Sequence, residues 1–496
     1  MPRPLPILAA LCATACLGRA ADLLETRIKT ITDAYALVEA NAADAITPDQ
    51  ALYQGAIPGL LRNLDPHSIF FDPDNFQQMK RMERSTQKGF GTVVSILPAR
   101  VIVLQVLPGT PGAKAGLTPG DDLLAVNGYE IARLDQDQIA ELLSESRQNT
   151  ARLVVRHPGA AGVAALTLIP EDQSAPSVDR AFFVGAGIGY IHVTSFEGDT
   201  ADLIKKSIEK LGGSGLAGLV LDLRGNPGGL VDAAVQTCSL FLPPGSKVVT
   251  LRGRHVPETT QTVPTIAEPY QFRMAILIDG KSASASEIVT GAMQDHDRAT
   301  VLGEPSFGKG LVQNMFPLSE GTGLALTTAL YYTPSGRSIQ KPLDPSKFEL
   351  GDATAHPNGE AEFHTDAGRT VTGGGGIQPD IVVYPRAMNR LRAVLEDSGA
   401  FPDFATEYLS GNKIPADFEI TPALMGRFRT FLLDRRIQPS ETEWTAETDF
   451  MSNRLLTEIF NQAFGVEKGD EVQARRDPVI QKALDALSAA AVGGRE

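Results

Sequence analysis

Cysteine is scarce in this chain, with three in 496 residues. Two of them, Cys12 and Cys16, fall near the start, which leaves Cys238 alone in the body of the chain. A lone cysteine closes no internal disulfide, so the fold must stand on its hydrophobic core. Cys238 sits in an apolar helical pattern and reads as a small buried hydrophobe. Tryptophan occurs once, at Trp444. No apolar run reaches the roughly 20 residues of a membrane span. Basic residues are outnumbered, 45 against 59 acidic, for a net charge of −14, so a nucleic-acid partner has no electrostatic support. Neither a phosphate-binding P-loop nor an HExxH helix is present, and no cofactor or metal is expected.

What is there is enough chain for two to four domains with an ordinary globular composition. Residues 1–20 read as a processing segment: Arg3, then an apolar stretch from Leu5 to Leu17, then Gly18-Arg19-Ala20 as a small-x-small cleavage site. This predicts export, to a periplasm or cell envelope. The rival is a lipoprotein signal with Cys16 anchored. Ala13 stands where a large aliphatic residue belongs in such signals, so membrane contact is expected only if the chain is lipidated.

The most informative stretch is Ile276–Gln313. An apolar run from Met274 to Ile278 reads as a buried strand, and Asp279-Gly280 turns the chain. Ser282, Ser284 and Ser286 follow, separated by alanines, before Glu287 opens a helical pattern. A serine at a strand-to-helix junction exposes its hydroxyl beside free N–H groups of the helix N-terminus. The small neighbours leave room for a peptide. Serine needs a base to become a nucleophile. His296, between Asp295 and Asp297, allows a Ser-His-Asp reading, although DHDR also reads as the polar end of the helix. Lys309, between Gly308 and Gly310, serves instead if burial lowers its pKa, and is otherwise a surface lysine in a glycine turn.

The pattern SASASEI followed by GEPSFGKGLVQ resembles the active-site region of the carboxy-terminal processing, or tail-specific, proteases. That resemblance implies Ser284 as nucleophile, Lys309 as general base and Gln313 as the residue that orients the lysine. It gives Ser282 and Ser286 structural places and Lys281 no role. LDLRGNPGG, from Leu221 to Gly229, matches a second signature of the family. Its glycines would turn the backbone sharply after a buried strand. By resemblance, the N–H of Gly229, chosen over Gly228, joins that of Ala285 as an oxyanion hole.

Residues 87–171 resemble a PDZ domain, through Gly89-Phe90-Gly91-Thr92 and the run AKAGLTPGDDLLAVNG. Such a module adds a peptide's C-terminus as an extra strand and holds its carboxylate on loop N–H groups. Here those would be Phe90 and Gly91, flanked by Gly89 and Thr92. A helix from Asp135 to Ser144 would line the side-chain pocket with Ile139, Leu142 and Leu143. Asp172 to Ser177 reads as a polar linker. The resemblance spans roughly residues 50 to 383.

The rest is less specific. Residues 21–86 read as helical, with Pro58 kinking or splitting the second helix. His67, beside Pro66, reads as a turn residue. By resemblance the catalytic core spans 180–385, with 341–372 interrupting the family pattern as an insertion that reads as a surface loop by its Pro, Asp and Gly content; His356 and His364 within it are only a weak metal signal. Residues 386–496 are helical by pattern and suit packing, dimerisation or substrate gating alike, so a homo-oligomer stays open. The family resemblance implies an α/β protein with a crotonase-like (ClpP-like) core, an inserted PDZ domain and helical ends. It predicts an exported serine endopeptidase that cleaves proteins near exposed, apolar C-terminal tails. A catalytically silent PDZ scaffold is the alternative, and a crotonase-type acyl-CoA enzyme is a third possibility without a basic patch to support it.

Overall fold

The computed structural model describes residues 25–83, 86–97, 99–107, 109–147, 149–160, 162–174, 176–341, 362–384 and 387–492. Residues 1–20, read above as a processing segment, and His356 lie outside them. The chain divides into two units, one of residues 1–78, 313–327 and 343–354, the other of the remainder.

The larger unit is organised on a six-stranded sheet. Its elements in chain order are β1 (Val178–Gly185), β2 (Ile188–Val193), α1 (Thr200–Lys210), β3 (Gly218–Asp222), α2 (Val231–Ser239), β4 (Arg273–Ile278), α3 (Ala285–Asp295), β5 (Thr300–Gly303), β6 (Ile381–Val382), α4 (Val466–Ala474) and α5 (Pro478–Val492). The strands lie side by side in that same order. β1 and β2 form an antiparallel pair, and every later pairing is parallel. Parallel strands need crossover connections and end up covered on both faces. The residues show this. Leu219, Leu221, Met274, Ile276 and Ile278 pack with α1, α2 and α3 on one side. Val220, Ala275, Leu277 and Leu302, one position out of phase, pack on the other against Ala474 of α4 and Val479, Ile480, Ala483 and Leu487 of α5. The C-terminal helices therefore complete the sandwich that the core requires.

The PDZ module has its own cluster, with Val101, Val103, Val126, Ile139 and Val155 fully or almost fully buried. Its helix Gln136–Ser146 starts at a capping box between Asp135 and Gln138. Where the chain enters and leaves the module, Thr86–Gly89 pairs antiparallel with Glu171–Ser174. Part of the stretch read as a linker is thus a paired strand. The insertion read as a loop likewise contains a hairpin, Glu362–His364 with Thr370–Thr372.

Four helices between Arg390 and Phe464 form a separate cluster around Phe401, Phe404, Phe428 and Met451, with Trp444 packed at its margin. Packing is the role the structure gives that tryptophan.

The smaller unit holds a helix over residues 25–41, a π-helical turn Gln50–Ala56 running into Ile57–Arg62, and the strand Ile69–Phe71. Pro58 has no N–H to donate, and the turn ahead of it widens: Ile57 N–H reaches back five residues to the Leu52 carbonyl. The helix is neither split nor sharply broken. Ile69–Phe71 pairs with Gly323–Ala325, a strand in a region expected to be helical. At Gly323 a Cβ would sit 2.2 Å from the Phe76 ring, so only glycine admits that aromatic.

Candidate active site

β4 ends at Ile278, and the turn after it is fastened by Asp279, whose Oδ1 accepts from the N–H groups of Gly225, Lys281 and Ser282 at 3.0 Å each. Ser282 and Ser286 are fully buried. Ser282 Oγ donates to the Leu223 carbonyl at 2.8 Å, and Ser286 Oγ to the Asn226 carbonyl at 3.0 Å. Between them Ser284 is half-buried, at φ 54° and ψ −114°. A non-glycine residue in that region carries roughly 1–3 kcal/mol of strain, of the kind stored at functional sites. It projects the residue from the junction where α3 begins. The Ala285 N–H, in the first turn, has no acceptor among the described residues.

The loop Arg224–Leu230 lies against this elbow. Asn226 is its hub: Nδ2 donates to the Val193 carbonyl at 2.9 Å, Oδ1 accepts from Gly228 N–H at 2.8 Å, and its carbonyl accepts from Ala283 N–H at 3.0 Å. A Cβ on Gly228 would lie 2.8 Å from Ser284 Cβ and 2.9 Å from Ala285 N, so no side chain fits there. Gly229 stands at φ 149° against the Phe196 backbone. The Gly228 N–H is occupied by Asn226, whereas that of Gly229 has no acceptor among the described residues.

Lys309 follows a segment that Glu287 organises. Oε2 of Glu287 accepts from Ser284 N–H and Lys309 N–H, both at 2.9 Å. Oε1 accepts from Gly308 N–H at 2.7 Å and Ser306 Oγ at 2.5 Å. One carboxylate thus ties the backbone of Ser284 to that of Lys309. Burial pushes the Glu287 carboxyl above its usual range, opposed by these four donors. Tyr331, fully buried, contacts the same two residues from the carbonyl side: its hydroxyl lies within hydrogen-bonding reach of the Ser284 carbonyl, 3.1 Å away, and of the Lys309 carbonyl. Burial holds Lys309 below the ordinary lysine pKa, and the Glu287 charge pulls the other way.

The remaining residues singled out by sequence fall as follows. Gln313 lies on the strand Leu311–Pro317, and its Nε2 donates to the His67 carbonyl at 2.6 Å. His67 sits in a turn closed by Asp65, which accepts from its N–H at 2.8 Å. His296 stands at the opposite end of α3 from Ser284, about 18 Å along the helix axis. Its ring meets Asp366 at 2.7 Å and the Lys247 carbonyl at 2.8 Å, so it makes no Ser-His pair with Ser284. Lys281 is exposed. Among the described residues no group of side chains could hold a metal ion, and no helix is long and apolar enough to cross a membrane.

In the PDZ module, Phe90 and Gly91 form the loop before the strand Thr92–Leu97, and their carbonyls accept from Gly112 and Leu107 N–H at 2.8 Å each. A cavity opens beside them, lined by Phe90, Thr92, Val94, Leu143, Ser146 and Arg147 among others. Ile139 is fully buried in the module's core and does not line it; Leu142 packs on that core as well. Sequence reasoning missed Glu287, Asn226 and Tyr331. Ser284-x-x-Glu287 is a capping-box pattern that would have drawn attention to Glu287; Asn226 lay inside a quoted motif, and Tyr331 carries no local signal.

Comparison with known proteins bears on this arrangement. Residues 187–346 match the family described as Peptidase family S41, and residues 102–157 match the PDZ domain. A carboxy-terminal-processing protease of Bartonella bacilliformis is 36% identical over 300 residues, covering 60% of this chain and 68% of that protein. The carboxyl-terminal-processing protease of Synechocystis sp. is 31% identical over 300 residues, covering 58% and 68%. Among solved structures, a photosystem II D1 C-terminal processing protease aligns over 73% of this chain and 88% of its own, at 24% identity and a TM-score of 0.41.

Proposed function

We propose a mechanism from one premise: this chain belongs to peptidase family S41, the carboxy-terminal processing serine peptidases. Its substrates are proteins, and it carries a PDZ domain beside an α/β peptidase core. In the reading proposed here, Ser284 is the nucleophile and Lys309, in its neutral form, the general base. Lys309 takes the Ser284 Oγ proton as Oγ bonds to the scissile carbonyl carbon. The N–H groups of Gly229 and Ala285 receive the negative charge that develops on the carbonyl oxygen. The lysine's proton then passes to the leaving amine as the C–N bond breaks. Water, deprotonated by Lys309, releases the acyl group and restores the serine.

The observation that carries this reading is the shared Glu287 oxygen, which accepts from Ser284 and Lys309 N–H at 2.9 Å each and so fixes the two segments together. The lowered pKa of Lys309 supports the same role, since a base must be free of its proton to act. Gln313 as the residue that orients the base rests on the family pattern alone. The PDZ loop at Phe90 and Gly91, with the cavity beside it, supports recognition of a free C-terminal tail with an apolar last side chain. Residues 1–20 support export to a periplasm or cell envelope.

The test is direct. The mature protein is incubated with an unfolded protein substrate beside Ser284→Ala and Lys309→Ala variants, and fragments are followed by mass spectrometry. Cleavage by the parent alone is expected. A Lys309→Ala variant as active as the parent would remove the lysine from the mechanism.

A further inference from the structure

The loop that presents Gly228 and Gly229 begins at Arg224, and the guanidinium of Arg224 is shared between the core and the C-terminal helices. Its Nε and Nη2 donate to Asp222, at 2.9 and 3.0 Å from Nε and 2.6 Å from Nη2. Its Nη1 donates to Asp477 Oδ2 at 2.8 Å. Asp222 is buried at the end of β3 and accepts also from the Tyr190 hydroxyl at 2.8 Å. Asp477 stands just ahead of α5, and its Oδ1 accepts from Val479 N–H at 2.8 Å and Ile480 N–H at 3.2 Å. A single side chain thus caps the last helix with one oxygen and holds the start of the loop with the other. Nearby, Arg180 of β1 pairs with Asp470 of α4 at 3.1 Å, and His192 of β2 lies 3.3 Å from the Arg224 carbonyl.

A guanidinium gripped by two carboxylates has one orientation, because its donors are fixed in a plane. Arg224 is also near the hinge of the site. Leu223, its neighbour, accepts from Ser282 Oγ, and Gly225 donates to Asp279. A shift at Arg224 therefore reaches the nucleophile's elbow by two short routes.

We infer that Asp477 is a positioning residue of the peptidase site, through which the C-terminal helix sets the place of the Gly228–Gly229 loop. The inference rests on the oxyanion role proposed for that loop. It gives the C-terminal region a part in catalysis that packing alone does not.

The experiment compares the full chain with Asp477→Asn and Asp477→Ser. Asparagine and serine both cap helices well, so α5 keeps its N-terminus while the charge toward Arg224 is lost. The expected result is a kcat lower by about tenfold with KM changed by less than about twofold, short of the roughly 100-fold loss typical of deleting an oxyanion donor. A peptide aldehyde, which places an oxygen in the oxyanion site, should lose affinity in parallel with kcat/KM. Its parent peptide acid should not. The melting temperature should stay within about 2 °C, since the cap survives. If Asp477→Asn does not fold, Asp477→Ser carries the test. A kcat within about twofold of the parent in a folded variant, or a loss confined to KM, would overturn the inference. An inert parent would overturn the peptidase reading and this inference with it, whereas an active parent matched by its variants overturns this inference alone.

Discussion

Glu287→Gln tests whether one buried carboxylate holds the proposed nucleophile, Ser284, and the proposed base, Lys309, together. All four groups around Glu287 donate to it: Ser284 N–H and Lys309 N–H on Oε2, Gly308 N–H and Ser306 Oγ on Oε1. Glutamine offers one acceptor oxygen and one NH2 group. Its cheaper orientation keeps the oxygen on Ser284 and Lys309 and turns the NH2 toward Ser306, whose hydroxyl can rotate to accept. Gly308 N–H then faces another donor. One buried donor left without an acceptor costs about 1–3 kcal/mol, which corresponds to a fall of about 1–4 °C in melting temperature for a unit of this size. The loop relieves the clash by moving, and a 1 Å displacement at a reacting group costs on the order of 100-fold in rate.

The same substitution has an opposite effect on the pH profile, and this makes the prediction specific. Burial lowers the Lys309 pKa, and the Glu287 charge raises it. Removing that charge leaves burial unopposed, so the pKa falls further and the lysine loses its proton at lower pH. The acid limb of kcat/KM, where activity rises as the free enzyme's base deprotonates, should therefore move to lower pH while kcat drops. The assay is a fluorogenic peptide followed across pH, with thermal unfolding of each protein alongside. A limb displaced to higher pH would refute the electrostatic argument. A kcat within about twofold of the parent at an unchanged melting temperature would refute the clamp itself.

Tyr331→Phe removes the hydroxyl that lies within reach of the Ser284 and Lys309 carbonyls without changing the ring that packs in the core; kcat should fall by about tenfold with KM unchanged, since a small shift of the base suffices. Full activity in a steady-state assay would assign Tyr331 to packing only. If Phe90 and Gly91 hold a free carboxylate as proposed, a substrate peptide with an amidated C-terminus should be cleaved more slowly than its free acid, because it loses that charge-assisted contact. If the PDZ domain merely tethers, the loss appears in KM; if tail binding aligns the site, kcat falls too. Equal constants for the two peptides would remove tail recognition.

The elements most legible in the sequence were those whose pattern is local. Met274–Ile278 is an unbroken apolar run because β4 is buried on both faces, and Asp279-Gly280 follows because the chain must turn there. The capping box at Asp135 and Gln138 marks the PDZ helix in the same local way. What was missed depends on distant partners. Ile69–Phe71 is a strand only because Gly323–Ala325 pairs with it. Glu171–Ser174 reads as polar linker by composition, and becomes a strand through Thr86–Gly89. A polar stretch with a partner to share its hydrogen bonds needs no apolar pattern to form a strand.

The candidate site divides along the same line, and the division says something about how the site is built. Ser284 and Lys309 stand out because the motifs that carry the family resemblance, SASASEI and FGKGLVQ, are short and contiguous in the sequence. The groups that hold them carry no signal that distinguishes them from ordinary structural residues. Glu287 reads as an ordinary helix-capping glutamate, Tyr331 as an ordinary strand tyrosine, Asn226 as a turn residue. Each acts on backbone N–H or carbonyl groups of the reacting segments. A backbone contact leaves no requirement on the identity of the residue contacted, so no paired signature appears in the sequence. It does fix the main chain, and the main chain carries what the proposed mechanism needs most: the strained elbow at Ser284 and the two N–H groups of Gly229 and Ala285. Side chains that grip the backbone from within the core can hold such a geometry against its strain, which contacts between mobile side chains at the surface would not.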